Sequence, residues 1–148
     1  MRIKATIEGR DAVMRRLRAL VPEAEAELAK EQLEGAIELA NRIKLRAPGP
    51  RTGRYQASIQ ADRLANRPGQ RRVGGKVKST QTGRALSHTK DPNATGIFAE
   101  FIWRFLEFGT VKMSARPHIF PTYRAYRKKL RRRMANAVNR AVRKARKK

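Results

Sequence analysis

The chain has 148 residues, enough for one domain with a real core, and its lack of cysteine excludes disulfide frameworks, thiolate metal sites and cysteine nucleophiles. Apolar residues make up 40% and charged residues 32%, with no apolar run long enough for a bilayer and no secretory signal in MRIKATIEGRD, so a soluble, intracellular product is expected. Net charge is +24, and it is lopsided: residues 1–38 hold 8 of the 12 acids, and nothing after Glu107 is acidic, which points to a polyanionic partner or an acidic protein surface.

In chain order, residues 2–8 alternate apolar and polar, and this predicts a half-buried strand ended by Gly9. Asp11 is placed to cap a short helix with Val13, Leu17 and Leu20 on one side. Pro22 suits the first turn of a second, longer helix, followed by Glu23, Glu25 and Glu27. The stripe of that helix runs Ala26, Ala29, Leu33, Ala36, Ala40, Ile43, Ala47, and its alanines predict a close-packed neighbour, itself a helix, before Pro48 and Pro50 stop it.

After the turn PGPRTGR a strand is expected around Tyr55–Leu64, then a second short strand at 73–77 and a long loop over 79–95. Residues 97–108 (IFAEFIWRFLEF) fit a helix with Glu100, Arg104 and Glu107 on its polar face, core below and a partner above, and Gly109 at its C-terminus. A final helix follows Pro121, with a stripe of Tyr123, Tyr126, Leu130, Met134, Val138, Ala141 and Ala145. Thirteen of its 28 residues are Lys or Arg, and its basic end (131–148) is expected to fray unless an anion meets it. The sum is a single α+β domain over 1–148, with a small antiparallel sheet packed by a long N-terminal helix, an aromatic helix and a basic C-terminal helix.

Two stretches carry a pattern: Pro50-Arg51-Thr52-Gly53-Arg54-Tyr55 with Ser58-Ile59, and Phe105-Leu106-Glu107-Phe108-Gly109-Thr110 with Met113, Ala115-Arg116-Pro117 and Pro121. Together they resemble the "TGxLxxSI … EFGTxxMxARPFxxP" signature of the tailed-phage neck or tail-completion family, the minor tail component or head–tail joining proteins. Trp103-Arg104 stands where that pattern has Tyr-Ala, His118 where it has Phe, and the C-terminal helix is more basic than is usual. The resemblance implies a structural virion protein in the neck, forming a hexameric or dodecameric ring with other connector and tail proteins as neighbours. Thr52, Gly53, Tyr55, Trp103, Glu107, Phe108, Gly109, Thr110, Arg116 and Pro117 are then either fold-stabilising turn residues or contacts to a subunit or partner. Arg116, held extended before Pro117, is expected within reach of Glu100 or Glu107.

No catalytic constellation is present. His88 and His118 have no carboxylate beside them in sequence, Ser58 and Ser79 lack a base, and the glycines match no nucleotide-binding loop, so no enzyme, cofactor or metal is expected. Nucleic-acid binding of ribosomal or nucleoid type, indifferent to sequence, is the alternative function, because a pI near 11.7 is the electrostatic footprint of phosphate contact. Arg124, Arg127, Lys128, Lys129, Arg131, Arg132, Arg133, Arg140, Arg143 and Lys144 are the residues expected to meet a polyanion or an acidic partner. In a ring, the six glutamates at 23–38 are expected to face the basic helix of the next subunit or of another neck protein, with the surplus cations left for an acidic partner or for the DNA that passes through the neck. A membrane partner is not expected, because the C-terminal stripe beyond Met134 is mostly alanine and valine.

Overall fold

The computed structural model describes residues 10–49, 53–70, 72–74 and 91–147. The elements are α1 (Arg10–Arg46), α2 (Arg54–Ser58), β1 (Gln60–Arg63), a single 3₁₀ turn (Leu64–Asn66), β2 (Thr95–Phe98), α3 (Trp103–Phe108) and α4 (Ile119–Lys147). The strand expected at 2–8 lies outside the described residues, as do residues 75–77 of the one expected at 73–77 and most of the loop placed at 79–95; Val73 and Gly74 fall in a turn, with the Val73 N–H donating to Ile97 O at 2.7 Å.

Two long antiparallel helices, α1 and α4, form one layer, and the two-stranded antiparallel sheet with α2 and α3 packs at the end where α1 finishes and α4 starts. The core joins Leu39, Ala40 and Ile43 of α1 and Ala47 just after it to Tyr55, Ile59, Trp103, Ile119 and Tyr126. Removing Ile43 and Ile59 fully from water stabilises the fold by about 2 kcal/mol each. From Ala29 onward the alanines of the stripe are buried while Ala26 is exposed, and beside them α4 comes so close that a Cβ on Gly35 would overlap Leu130 Cδ1.

Four local expectations are corrected. The two N-terminal helices are one, with Pro22 inside it and exposed. A proline there removes one backbone bond at about 3 kcal/mol, but the strong helix formers on either side carry the helix through. Residues 54–58 are helical and only Gln60–Arg63 is strand, because Tyr55 and Ile59, four apart, share a face in either geometry and the period cannot choose. The aromatic helix starts at Trp103, since Thr95–Phe98 pairs with β1 in the register Gln60↔Phe98 to Arg63↔Thr95, and the long loop therefore ends at Ala94. In α4 the buried positions are Ile119, Thr122, Tyr126, Ala137 and Ala141, while Tyr123 and Val138 are exposed, so the helix is turned relative to its apolar pattern.

That turn is explained by charge. It brings Arg133 against α1, where its guanidinium meets Glu31 at 2.9 Å, Glu34 at 3.3 Å and Glu38 at 2.9 Å. Lys129 reaches Glu38 at 2.7 Å, Arg140 reaches Glu31 at 2.6 Å, and Lys144 reaches Glu27 at 2.6 Å. The acidic helix therefore meets the basic helix of its own chain, and not of a neighbour, through Glu27, Glu31, Glu34 and Glu38. Antiparallel packing puts each glutamate opposite a cation at helical spacing.

The hydrogen bonds from Lys129 and the Tyr126 hydroxyl hold the Glu38 carboxyl down at about 2, against an ordinary value of 4.5. Bonds from Lys144 and Arg140 lower Glu27 and Glu31 in the same direction. A carboxyl depressed in the folded state contributes its full stabilisation above the unfolded value and loses it as pH falls through the folded one. The urea midpoint is therefore expected to drop between about pH 5 and pH 2, and Glu38→Gln to flatten that drop. An identical acid profile in the variant would assign the loss to other groups.

Candidate functional site: the junction of α3 and α4 and the surfaces beside it

The two motif stretches, far apart in sequence, meet at the start of α4. α4 has no acidic residue in its first turn, so its opening N–H groups need an acceptor from elsewhere. Glu107 of α3 supplies it. Its buried carboxylate accepts from the backbone N–H of His118 at 2.8 Å and Ile119 at 3.0 Å through Oε2, and from Phe120 at 2.9 Å through Oε1. Pro121, next in line, has no N–H to satisfy. The positive end of the helix dipole and three charge-assisted bonds make this interior a favourable place for a carboxylate.

His118 completes the joint. Its Nδ1 lies 2.9 Å from the Arg116 carbonyl, which can only accept, so the bonding pattern places the proton on Nδ1. Nε2 then accepts from the Tyr55 hydroxyl at 2.7 Å, with both side chains buried and the rings edge-to-face. Burial, and then the nearby charge of Glu107, push the Tyr55 phenol up, which keeps it a donor. On the far side, Glu100 N–H donates to Ser58 Oγ at 3.1 Å and its carboxylate pairs loosely with Arg54 at 3.7 Å.

Of the motif residues, Tyr55, Trp103 and Glu107 turn into the interior, and Thr52 lies outside the described residues. Gly53 opens α2 at φ 63°. Gly109 ends α3 at φ 77°, where a Cβ would stand 2.9 Å from Met113 O and Ala115 N, so no other residue fits without moving backbone. Thr110 and Met113 then bridge across a tight turn, Thr110 N–H to Met113 O at 2.8 Å, with Val111 wholly exposed at its tip. Arg116 and Pro117 are exposed. The expected pairing of Arg116 with a glutamate does not form, because Glu107 is occupied by backbone donors and Glu100 by Arg54.

α3 thus turns Glu107 and Trp103 inward and Phe105 and Phe108 outward, so Glu107 does not lie on the expected polar face. Phe101 is 59% exposed, Phe105 43% and Phe108 66%, and with Ile102, Val111 and Met113 they give the molecule an apolar surface. Phe101 and Phe105 stack edge-to-face at 5.6 Å, while Phe108 leans on Phe120 and Trp103. Aromatic surface of this kind, left in water, marks a contact site.

The ten cations singled out on the C-terminal helix fall into two sets. Lys129, Arg133, Arg140 and Lys144 are engaged by α1, whereas Arg124, Arg127, Lys128, Arg131, Arg132 and Arg143 are exposed and make no ion pair with a described carboxylate. No described helix is long and apolar enough to cross a membrane.

Residues 11–109 match the family described as "Bacteriophage HK97-gp10, putative tail-component", and the chain belongs to that family of phage tail-related structural proteins. No curated protein and no solved structure matches the chain. The match ends where Gly109 closes α3, so the ARP segment and α4 lie beyond it.

Proposed function

We propose that the protein is a neck or tail-completion component, made in the host cytoplasm and built into the virion, whose subunits close into a hexameric or dodecameric ring joining the head's portal and connector to the tail. Its role is structural and non-catalytic. The observation that carries this reading is the outward aromatic face of α3 and its following turn, in a chain of a phage tail-component family. A head-to-tail contact of that face with a different patch on the next copy repeats until the rotation closes. Other connector and tail proteins are the neighbours above and below.

Nuclease-treated protein is expected to run as a discrete species of six or twelve subunits at both low and high salt. Phe105→Ser with Phe108→Ser is expected to return it to a folded monomer, read by light scattering and helical circular dichroism. A wild-type monomer at both salts would instead favour the second reading, a sequence-independent nucleic-acid-binding protein of ribosomal or nucleoid type. The exposed cations of α4 are what support that alternative.

A further inference from the structure

We infer that the outward face of α4 binds the phosphate backbone of duplex DNA without regard to base sequence, and this holds whether or not the chain closes into a ring. Arg124, Arg127, Lys128, Arg131, Arg132 and Arg143 are exposed around the solvent side of α4, while Tyr126, Arg133, Ala137 and Ala141 face α1. At 1.5 Å per residue, Arg124 to Arg132 covers about 12 Å of helix axis, a dense row of positive charge. Like charges at this spacing repel one another, so the row is held in place by the glutamate ladder behind it and is itself uncompensated.

A second copy of the chain is a poor occupant for this face. The carboxylates of Glu27, Glu31, Glu38, Asp62, Glu100 and Glu107 are already engaged within their own molecule. With these and Glu34 engaged, few described carboxylates are left for another copy to offer, and a partner that brings its own anions fits better. Five of the six cations are arginines, whose planar fork suits phosphate oxygens. Exposed Ala135 and Asn139 are interleaved with them, and the one exposed aromatic among the described residues of α4, Tyr123, stands at the start of the helix, so a row of stacking platforms for single-stranded bases is not provided. A straight helix lies along or in the major groove of B-form DNA, whereas the deep, narrow groove of duplex RNA excludes it.

The test is fluorescence anisotropy of a labelled random-sequence duplex DNA, titrated with the full-length, nuclease-stripped protein across a salt series. Arg127→Gln with Arg131→Gln and Arg132→Gln is expected to make the log–log salt slope shallower by about 2 to 3 and to weaken binding about 100-fold near 0.1 M salt. The matched triple Arg46→Gln, Arg54→Gln, Arg116→Gln, exposed elsewhere, removes the same charge and is expected to shift the slope by less than about 1. Helical circular dichroism is read first, and Arg131→Gln alone, with an expected slope change of about 1, serves if the triple unfolds. Equal losses in the two triples would overturn the assignment, leaving only net-charge attraction. So would binding of polyglutamate as tight as that of duplex DNA of equal charge, which would give the face to an acidic protein segment.

Discussion

Glu107→Gln is expected to lower the stability of the folded chain by about 3 kcal/mol, and Glu107→Ala by more. The carboxylate takes three backbone donors at the start of α4, two of them buried. Glutamine keeps the shape but offers one acceptor oxygen, and turns an N–H₂ toward at least one donor. Each buried N–H left without a partner costs about 1–3 kcal/mol, and the charge–dipole attraction is lost as well. Against a total stability of about 5–15 kcal/mol, this is a large loss for a single change. Thermal melts followed by circular dichroism are expected to show a midpoint about 10 °C lower for Glu107→Gln. A shift under about 2 °C would mean that the N–H groups find other acceptors and that the carboxylate does not hold the helices together.

Arg133→Met is expected to cost about 2 kcal/mol, an effect that belongs to the network and not to any single pair. Its guanidinium stands between three glutamates, with its side chain 27% exposed. The loss leaves Glu31, Glu34 and Glu38 aligned at helical spacing with Arg42, Lys129 and Arg140 as the cations still paired to them and none facing Glu34, so the attraction at the centre of the ladder is lost. Solvent screening keeps the figure below that of a fully buried pair. Arg127→Met, on the opposite face, is expected to change stability by less than about 0.5 kcal/mol. In a double-mutant cycle, Arg133→Met with Glu38→Gln is expected to destabilise less than the sum of the two, by about 1 kcal/mol. Strict additivity in urea unfolding would show the ladder to be decoration on an apolar interface.

Both predictions concern residues whose type was visible in the sequence while their role was not. Glu107 reads there as part of a polar row with Glu100 and Arg104, because i, i+4, i+7 spacing is what a solvated helix face looks like. Periodicity measures local amphipathicity only, and a carboxylate at such a position becomes an interior group when another helix begins beside it. One hint existed: α4 opens His-Ile-Phe-Pro with no capping side chain of its own, so an outside acceptor had to be found. His118 likewise stood out as a departure from the resembled pattern, yet its hydrogen bond to Tyr55 spans 63 residues that no local rule connects.

The sequence by itself determined the α+β class, the alanine stripe that lets two long helices come close, the stop at Pro48, the glycine that ends α3 and the pairing of motifs that marks the family. These depend on backbone preference and on period, which act within a few residues. The tertiary structure alone decided which end of each amphipathic segment faced in. It turned α4 until Arg133 met three glutamates, sent the acidic helix to its own chain in place of a neighbour's, and left six cations and a row of phenylalanines outward. Those choices rest on the cost of burying a charge without partners, and where partners stand is fixed only once all the elements are packed.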